Sequence, residues 1–313
     1  MTGEGLGFDR LVPHGGYRWW YVDGLSDCGE FGLTVIAFIG SVFSPYYFRA
    51  RSLGDPSPSD HVCLNIVLYG SRNARWCMTE RGERSLHQHS ETLTLGPSQM
   101  TASETGLIIS IDERTTPFMQ SVFGQIEISL GTRFDQCFGL DNKGDHWWWP
   151  IAPMGRIKVS LLKPFFSWEG TGYVDSNYGI SPIENAFSSW NWARGHSPNG
   201  QCEIHYDAQL RDGGGKRLSL SIDSEGLMKR TDSPDKVNLP VGPIWRVARP
   251  ALIGSVDNSR IHTLEDTPFY TRSKILPKKD GCGLNFMHES LDLDRFCRPW
   301  VQMLLPFRMP RRS

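Results

Sequence analysis

The sequence lacks the short motifs that mark cofactor-dependent enzymes. It has no G-x-G-x-x-G loop before a helix, no Walker A phosphate loop and no G-x-S-x-G nucleophile elbow. None of the seven cysteines forms a C-x-x-C pair, and a polar loop explains the single His-x-His pair, His87 and His89, better than a metal site. Nucleotide, metal and acyl-enzyme chemistry are therefore disfavoured, and we expect no cofactor and no bound metal.

Excess charge and long apolar runs are also missing. The net charge is −1, whereas nucleic-acid binding needs a basic surface. The longest nearly apolar run, residues 33–43, has 11 residues and is too short to cross a bilayer as a helix. The first ten residues do not form a secretory signal, and the odd number of cysteines favours a reducing compartment. We expect a cytoplasmic protein, at most peripheral at the inner face of the membrane.

What the sequence does contain is typical of antiparallel strands. Apolar residues alternate with polar ones in segments 126–130, 157–161 and 218–222, as in half-buried strands. Segments 33–40 and 63–70 are apolar at almost every position, which predicts strands buried on both faces or strands beside a lined cavity. Gly/Pro-rich turn sequences separate these segments. The predicted fold class is all-β, with antiparallel sheets closed or nearly closed into barrels.

Helical periodicity is scarce, and no short repeat divides the chain. One short helix is predicted in residues 180–190, with Ser181 as its N-cap and Glu184 three positions later. The length of 313 residues fits two β-domains of about 150 residues each. We place them at residues 1–160 and 161–313.

Two aromatic segments carry the candidate chemistry. His146 and Trp148 are two residues apart in GDHWWWP, and so are Tyr173 and Asp175 in GYVDSN. Residues i and i+2 of a strand point to the same face, so each pair projects together. No Lys or Arg lies between residues 163 and 194. If both strands line one cavity, it holds a carboxyl, an imidazole, a phenol and an indole.

This set suits protonation of an isolated alkene. Burial in an apolar pocket disfavours the charged form of a carboxyl, so Asp175 could act as a general acid. The resulting carbocation would be stabilised by aromatic faces, each by about 0.5–2 kcal/mol. A histidine can orient or deprotonate a water molecule. Residue types alone leave a structural alternative open, in which Asp175 is satisfied by backbone amides and the tryptophans pack a β-barrel.

Longer segments in the same order resemble the carotenoid 1,2-hydratases, also called hydroxyneurosporene synthases. The similar segments span nearly the whole chain: GGYRWWYVDGLSD (15–27), GLTVIAFIGSVFSPYY (32–47), NIVLYG (65–70), MTERG (78–82), HWWWPIAP (146–153), GYVDSNYG (172–179), TLEDTPFYTRS (263–273), HESLDLDRF (288–296) and LLPFRMPR (304–311).

The resemblance implies an enzyme that adds water to the terminal C1=C2 bond of an acyclic carotenoid, a long hydrophobic isoprenoid, without a cofactor. It implies two lipocalin-like β-domains. It also implies that Asp175 is the proton donor and that His146, Trp148 and Tyr173 are the other catalytic residues. All four residue types stand at the motif positions.

Further aromatic residues are candidates for holding the substrate. The expected substrate-binding residues are Trp19, Tyr21, Trp168, Asn177, Trp190, Trp192, Phe269 and Tyr270. In the strand that contains Trp19, Trp20 and Tyr21, alternation puts Trp20 on the opposite face. The sequence does not decide which of these two faces packs the core.

The last 19 residues, 295–313, hold five arginines and no acid, together with several large apolar side chains. Such a segment could touch an anionic membrane surface. The alternative is a closing strand packed on the second barrel.

Two other functions remain open at this stage. An isoprenoid cyclase would use the same proton donor and let an internal alkene capture the cation. A lipocalin-like carrier would bind the isoprenoid without chemistry, although the four catalytic residue types argue against it. The sequence leaves the identity of the carotenoid, the number of reacting ends and the oligomeric state undecided.

Overall fold

The computed structural model describes residues 5–54, 56–70, 73–197, 199–256, 259–277 and 284–312. It separates into two compact units, residues 1–182 with 303–313, and residues 183–302. No disulfide joins any two of the six cysteines that it describes, and Cys282 lies outside the described residues.

The first unit contains the long central strands. In chain order they are β1 (Tyr17–Ser26), β2 (Gly32–Ile39), β3 (Val62–Tyr69), β4 (Arg75–Met78), β5 (Glu80–Arg81), β6 (Leu86–Gln88), β7 (Thr92–Leu95), β8 (Ser98–Ala102), β9 (Gly106–Arg114), β10 (Ser121–Ser129), β11 (Phe138–Gly139), β12 (His146–Lys163) and β13 (Phe165–Gly179).

The second unit contains β14 (Phe187–His196), β15 (Cys202–Leu210), β16 (Gly215–Ile222), β17 (Met228–Thr231), β18 (Lys236–Leu239), β19 (Arg249–Leu252), β20 (Ser259–Asp266), β21 (Tyr270–Pro277) and β22 (Asn285–Asp292). The last strand, β23 (Arg311–Arg312), returns to the first unit.

Helices are few and short. They are α1 (Pro45–Leu53), α2 (Ile183–Ala186), α3 (Leu293–Phe296) and α4 (Pro299–Leu304), with 3₁₀ turns at Pro58–Asp60, Glu83–Ser85 and Leu305–Phe307. Helix α1 begins at Pro45 because the Ser44 side chain accepts the backbone N–H groups of Tyr46 and Tyr47. It ends at Leu53, and Gly54 caps it with a φ of 82°, a backbone conformation that is favourable for glycine.

The strands of the first unit form one sheet. Among the described residues its order is β23-β5-β3-β2-β1-β13-β12-β10-β9-β8-β7-β6, with β4 beside β3 and β11 beside β12. All pairs are antiparallel except β23 with β5. The second unit has a sheet of order β17-β16-β15-β14-β22-β21-β20 and a separate ribbon of β18 and β19 that packs on β14, β15 and β22.

Both faces of the strands around β1 are buried, and the two faces differ in chemistry. Trp20, Val22 and Val174 point into an aliphatic core that continues across the sheet to β9 and β10. The alternate positions of β1 and β13 form the opposite face. We call it the polar-aromatic face and define it by Tyr17, Trp19, Tyr21, Asp23, Tyr173, Asp175 and Asn177, with His146 and Trp148 from β12.

The all-β prediction is confirmed, and the strands expected in 126–130, 157–161 and 218–222 lie in β10, β12 and β16. Segments 33–40 and 63–70 fall almost entirely within the buried strands β2 and β3, as predicted.

The helix predicted in residues 180–190 is wrong for most of its length. Only Ile183–Ala186 is helical, and Phe187 begins β14. The reason is that residues 189–196 pair with both β15 and β22, so tertiary hydrogen bonds override the local capping pattern.

The division expected at residue 160 falls inside the long hairpin of β12 and β13, which belongs entirely to the first unit. Pairing across this hairpin keeps both strands in one sheet, so the compact units change at residues 182 and 302 instead. That each unit is an independent domain stays a prediction.

Close approach of β13 to β1 requires a glycine at position 170. A Cβ atom at this position would lie 2.0 Å from the Leu25 carbonyl oxygen. We expect Gly170→Ala to lower the free energy of unfolding by about 1–3 kcal/mol, as overpacking does. Gly139→Ala is the control, because its Cβ would meet only Trp147 at 3.9 Å. Equal unfolding temperatures of the two variants in calorimetry would contradict this role of Gly170.

Candidate active site

The polar-aromatic face is assembled by β13, which pairs with β1 on one side and β12 on the other. In this register Asp175 lies opposite Tyr21, and Asn177 lies opposite both Trp19 and Trp148. Side chains opposite one another on a face are within contact distance. The pairing thus places the two sequence segments with candidate chemistry beside each other.

Asp175 is the centre of the hydrogen bonding on this face. The Tyr173 hydroxyl donates to Asp175 Oδ2 at 2.6 Å, and the Trp148 indole N–H donates to the same oxygen at 2.8 Å. Asp175 is 2% exposed, and Tyr173 and Trp148 are fully buried. Three of the four predicted catalytic residues are therefore in direct contact.

His146 lies on the same face and is held through both ring nitrogens. Tyr17 Oη lies 2.9 Å from Nδ1, and Ser181 Oγ lies 3.2 Å from Nε2. Burial lowers the pKa of the imidazole, against the opposing effect of the carboxylates of Asp141 and Asp145. The neutral ring therefore predominates at neutral pH.

Aromatic side chains surround these polar groups. The rings of Tyr21 and Tyr173 meet edge to face at 6.0 Å, and Tyr17 stacks on Trp19 at 5.0 Å. The sequence left open which face of β1 packs the core. The structure places Trp20 in the aliphatic core and Trp19 and Tyr21 beside Asp175.

Asn177 is a predicted substrate-binding residue and lies on this face. Its side chain is 1% exposed, and its Nδ2 atom has no hydrogen-bond partner among the described residues. Buried amide nitrogens are almost always satisfied by protein, water or ligand. This position is therefore suited to a bound water or a polar ligand atom.

Trp168 lies elsewhere. It belongs to the aliphatic core, on the opposite face of β13 from Asp175. Trp168 precedes Asp175 by seven residues, and residues an odd number apart in a strand point to opposite faces. The structure gives no support for its predicted contact with substrate.

The other four predicted substrate-binding residues belong to the second unit. Trp190 and Trp192 share one face of β14, and the Trp190 ring meets Tyr206 at 5.4 Å. Phe269 packs on Phe296 at 5.1 Å, and Tyr270 begins β21. Within this unit they pack against neighbouring side chains, and their roles in binding stay predictions.

Four residues of the site were not identified from the sequence. Tyr17 and Ser181 hold His146, and Asp141 Oδ1 accepts the backbone N–H of His146 at 3.2 Å. Asp23 is a fully buried carboxyl on the polar-aromatic face. The alternation in YRWWYVD puts Tyr17, Tyr21 and Asp23 on one face, so this signal was available for two of the four.

No cluster of three or more potential metal-ligating side chains occurs in the described ranges. Within the same ranges, no helix is long and apolar enough to span a membrane.

Comparison with known proteins identifies relatives along nearly the whole chain. An acyclic carotenoid 1,2-hydratase from Thiocapsa roseopersicina is 45% identical over 98% of this chain and 76% of its own length. Another, from Rubrivivax gelatinosus, is 38% identical with the same coverage. A crystal structure of a putative AttH from Nitrosomonas europaea has the same fold, with a TM-score of 0.59 at 12% identity, and covers 93% of this chain and 98% of its own.

The family described as carotenoid hydratase CrtC matches residues 35–313, which include β3 to β23 and every predicted catalytic residue. The fold prediction of two lipocalin-like β-units and the predicted resemblance are both confirmed. The chain belongs to the carotenoid hydratase CrtC family and is a hydro-lyase.

Proposed function

We propose that this enzyme adds water to the terminal C1=C2 bond of an acyclic carotenoid, with Asp175 as the proton donor and without a cofactor. The names of its relatives support the substrate class. The arrangement of Tyr173, Trp148 and Asp175 supports the mechanism. Protonation of C2 leaves a tertiary cation at C1, and water then forms the new C–O bond.

The observation that carries the proposal is that two donors converge on one oxygen of Asp175. With both donors directed to Oδ2, the transferable proton of the neutral acid belongs on Oδ1. When that proton leaves, the carboxylate gains negative charge. Hydrogen bonds to an ionised acceptor are about twice as strong as neutral ones. Tyr173 and Trp148 thus stabilise the transition state more than the ground state, which accelerates the chemical step.

The aromatic rings of the same face are suited to stabilise the cation. Trp148, Tyr173, Tyr21 and Trp19 lie around Asp175 on three adjacent strands. The face of an aromatic ring attracts a cation, by about 2 kcal/mol or more where water is excluded. The tertiary cation is therefore stabilised where it forms.

The water that captures the cation must be held by polar side chains, and this face offers them at two places. His146 and Asn177 lie at one end of the face, and Tyr173 lies toward the other. A buried water is held by about two to four partners. The ring nitrogens of His146 are within hydrogen-bond distance of the Tyr17 and Ser181 hydroxyls. We therefore propose that His146 orients water indirectly, by positioning these two hydroxyls.

We expect Asp175→Asn to abolish turnover with an unchanged circular dichroism spectrum, because an amide cannot donate an acidic proton. Tyr173→Phe should lower kcat by roughly 10²-fold, as removal of one donor to a developing anion does, with little change in KM. Tyr178→Phe is the control, since it lies on the opposite face of the same strand. Near-normal turnover of folded Asp175→Asn would exclude Asp175 as the acid.

Hydration and cyclisation begin with the same protonation, and the source of the captured nucleophile distinguishes them. In ¹⁸O-labelled water we expect one labelled hydroxyl for each reacted end, and a product heavier than its precursor by one water. A product of unchanged mass with one more ring and one fewer double bond would establish the cyclase. Recovery of unchanged carotenoid from every tested acyclic substrate would favour the carrier.

We also propose that the C-terminal segment contacts the anionic inner surface of a membrane, from which a carotenoid could enter. Met303, Leu304 and Phe307 have the spacing of one helix face, and all three are exposed, Met303 by 72% and Phe307 by 73%. Apolar residues on a helix face next to arginines are typical of interfacial binding.

The five arginines of this segment have different surroundings. Arg295 and Arg298 belong to the second unit, where Arg295 donates to the Trp245 carbonyl. Arg308 and Arg312 are exposed and lie near the apolar face in sequence. Arg311 is bound by Asp60 and Glu80 in the first unit, where β23 pairs with β5. The alternative expectation of a closing strand on the second barrel is therefore wrong, because this strand completes the first sheet.

We expect the protein to sediment with phosphatidylglycerol vesicles and only weakly with phosphatidylcholine vesicles. Met303→Ser combined with Phe307→Ser should reduce sedimentation at least about tenfold, since each buried CH₂ contributes about 0.8 kcal/mol. Phe165→Ser is the control, an 89% exposed phenylalanine at the β12–β13 turn. Unchanged sedimentation of the double variant, or self-association in light scattering that the double variant abolishes, would contradict membrane contact through this face.

A further inference from the structure

Asp175 is accompanied by a second carboxyl on the polar-aromatic face. Asp23 is fully buried in β1, where it lies opposite Tyr173 of β13 and Thr34 of β2. Asp175 lies opposite Tyr21, and Tyr21 precedes Asp23 by two residues in β1. The two aspartates therefore occupy diagonal positions of one antiparallel pair. The Cα atoms of residues related in this way are about 7–8 Å apart.

Hydration of an alkene uses an acid that protonates carbon and a base that accepts a proton from the captured water. Two carboxyl groups on one face can divide these two roles. Asp175, with two donors on one oxygen, is already proposed as the acid. Asp23 is then the candidate base.

Hydration requires such a base. When water bonds to C1, its oxygen becomes positively charged and must lose a proton. The imidazole of His146 is poorly placed to accept it directly, because both nitrogens are within hydrogen-bond distance of Tyr17 and Ser181. A carboxylate on the same face accepts this proton without rearranging those contacts.

We propose that Asp23 is the general base that accepts the proton of the captured water, an inference that rests on the proposed hydration by Asp175. Asp175 gives its proton to C2, and the alkene π electrons form the new C–H bond. A water lone pair forms the C–O bond at C1. The oxonium then passes one proton to the Asp23 carboxylate, which yields the neutral alcohol.

Exchange with water finally returns Asp23 to the carboxylate and Asp175 to the acid, so each cycle consumes one water and no net proton. Diagonal positions, whose Cα atoms are about 7–8 Å apart, allow two carboxyl groups to flank one water. Inverting glycosidases likewise place an acid carboxyl and a base carboxyl on either side of the attacking water.

Reactions in heavy water distinguish protonation of the alkene from capture of water. Asp23→Asn should reduce alcohol formation by at least about 100-fold, yet the recovered carotenoid should contain deuterium. The reason is that Asp175 still forms the cation. When capture fails, the Asp175 carboxylate removes a hydrogen from C2 or from a methyl group on C1, and the returned alkene keeps the deuterium. Asp175→Asn should give neither alcohol nor deuterium in the carotenoid. Wild-type enzyme should give an alcohol with one deuterium at C2.

Asp27→Asn is the matched control, because Asp27 follows β1 and forms a surface ion pair with Arg156. It should hydrate at the wild-type rate. If Asp23→Asn does not fold, Asp23→Glu keeps a carboxylate and should restore measurable alcohol formation. Folded Asp23→Asn with wild-type turnover, or with neither alcohol nor deuterium, would overturn the role of Asp23 as the base. Failure of the proposed function itself would show differently, as unchanged turnover in Asp175→Asn.

Discussion

The antiparallel pairing of β13 between β1 and β12 is the constraint on which the site depends. It brings together side chains that are separated by more than 120 residues, such as Tyr17 and His146. It also fixes which face each residue occupies, since a shift of one residue would move Asp175 into the aliphatic core. Gly170 and Gly172 in β13 allow the close approach of the neighbouring backbone and side chains at this pairing.

A buried carboxyl with two donors on one oxygen can act as an acid in an apolar setting. Burial opposes ionisation, while the Tyr173 and Trp148 hydrogen bonds favour it. This balance between burial and hydrogen bonding suits a proton donor, because the hydrogen bonds from Tyr173 and Trp148 are strongest to the carboxylate that remains after proton transfer. Aromatic rings from three adjacent strands lie around this acid, and the faces of such rings attract a cation.

Much of this arrangement could be predicted from the sequence. Alternation in GYVDSN and HWWWP placed Tyr173 with Asp175 and His146 with Trp148, and the strand register retains both pairs. What local pattern could not give is which strands are neighbours. Trp168 was assigned to the site because it is close in sequence, but strand alternation directs it to the opposite face.

Long-range pairing also explains the remaining differences. Ser181 has the sequence pattern of a helix cap, yet its hydroxyl lies beside His146 while β14 begins at Phe187. Asp23 lies in a segment dominated by tryptophan and tyrosine, and only its position opposite Tyr173 relates it to Asp175. These contacts depend on register between distant strands, which one sequence does not specify.

The central claim is that Asp175 holds a proton at neutral pH, and infrared spectroscopy tests it most directly. The account predicts a carbonyl stretch of a protonated carboxyl in the wild-type enzyme at pH 7. The band should shift in heavy water and be absent from Asp175→Asn. A wild-type spectrum with only the carboxylate bands of Asp175, identified by difference from Asp175→Asn, would contradict the account.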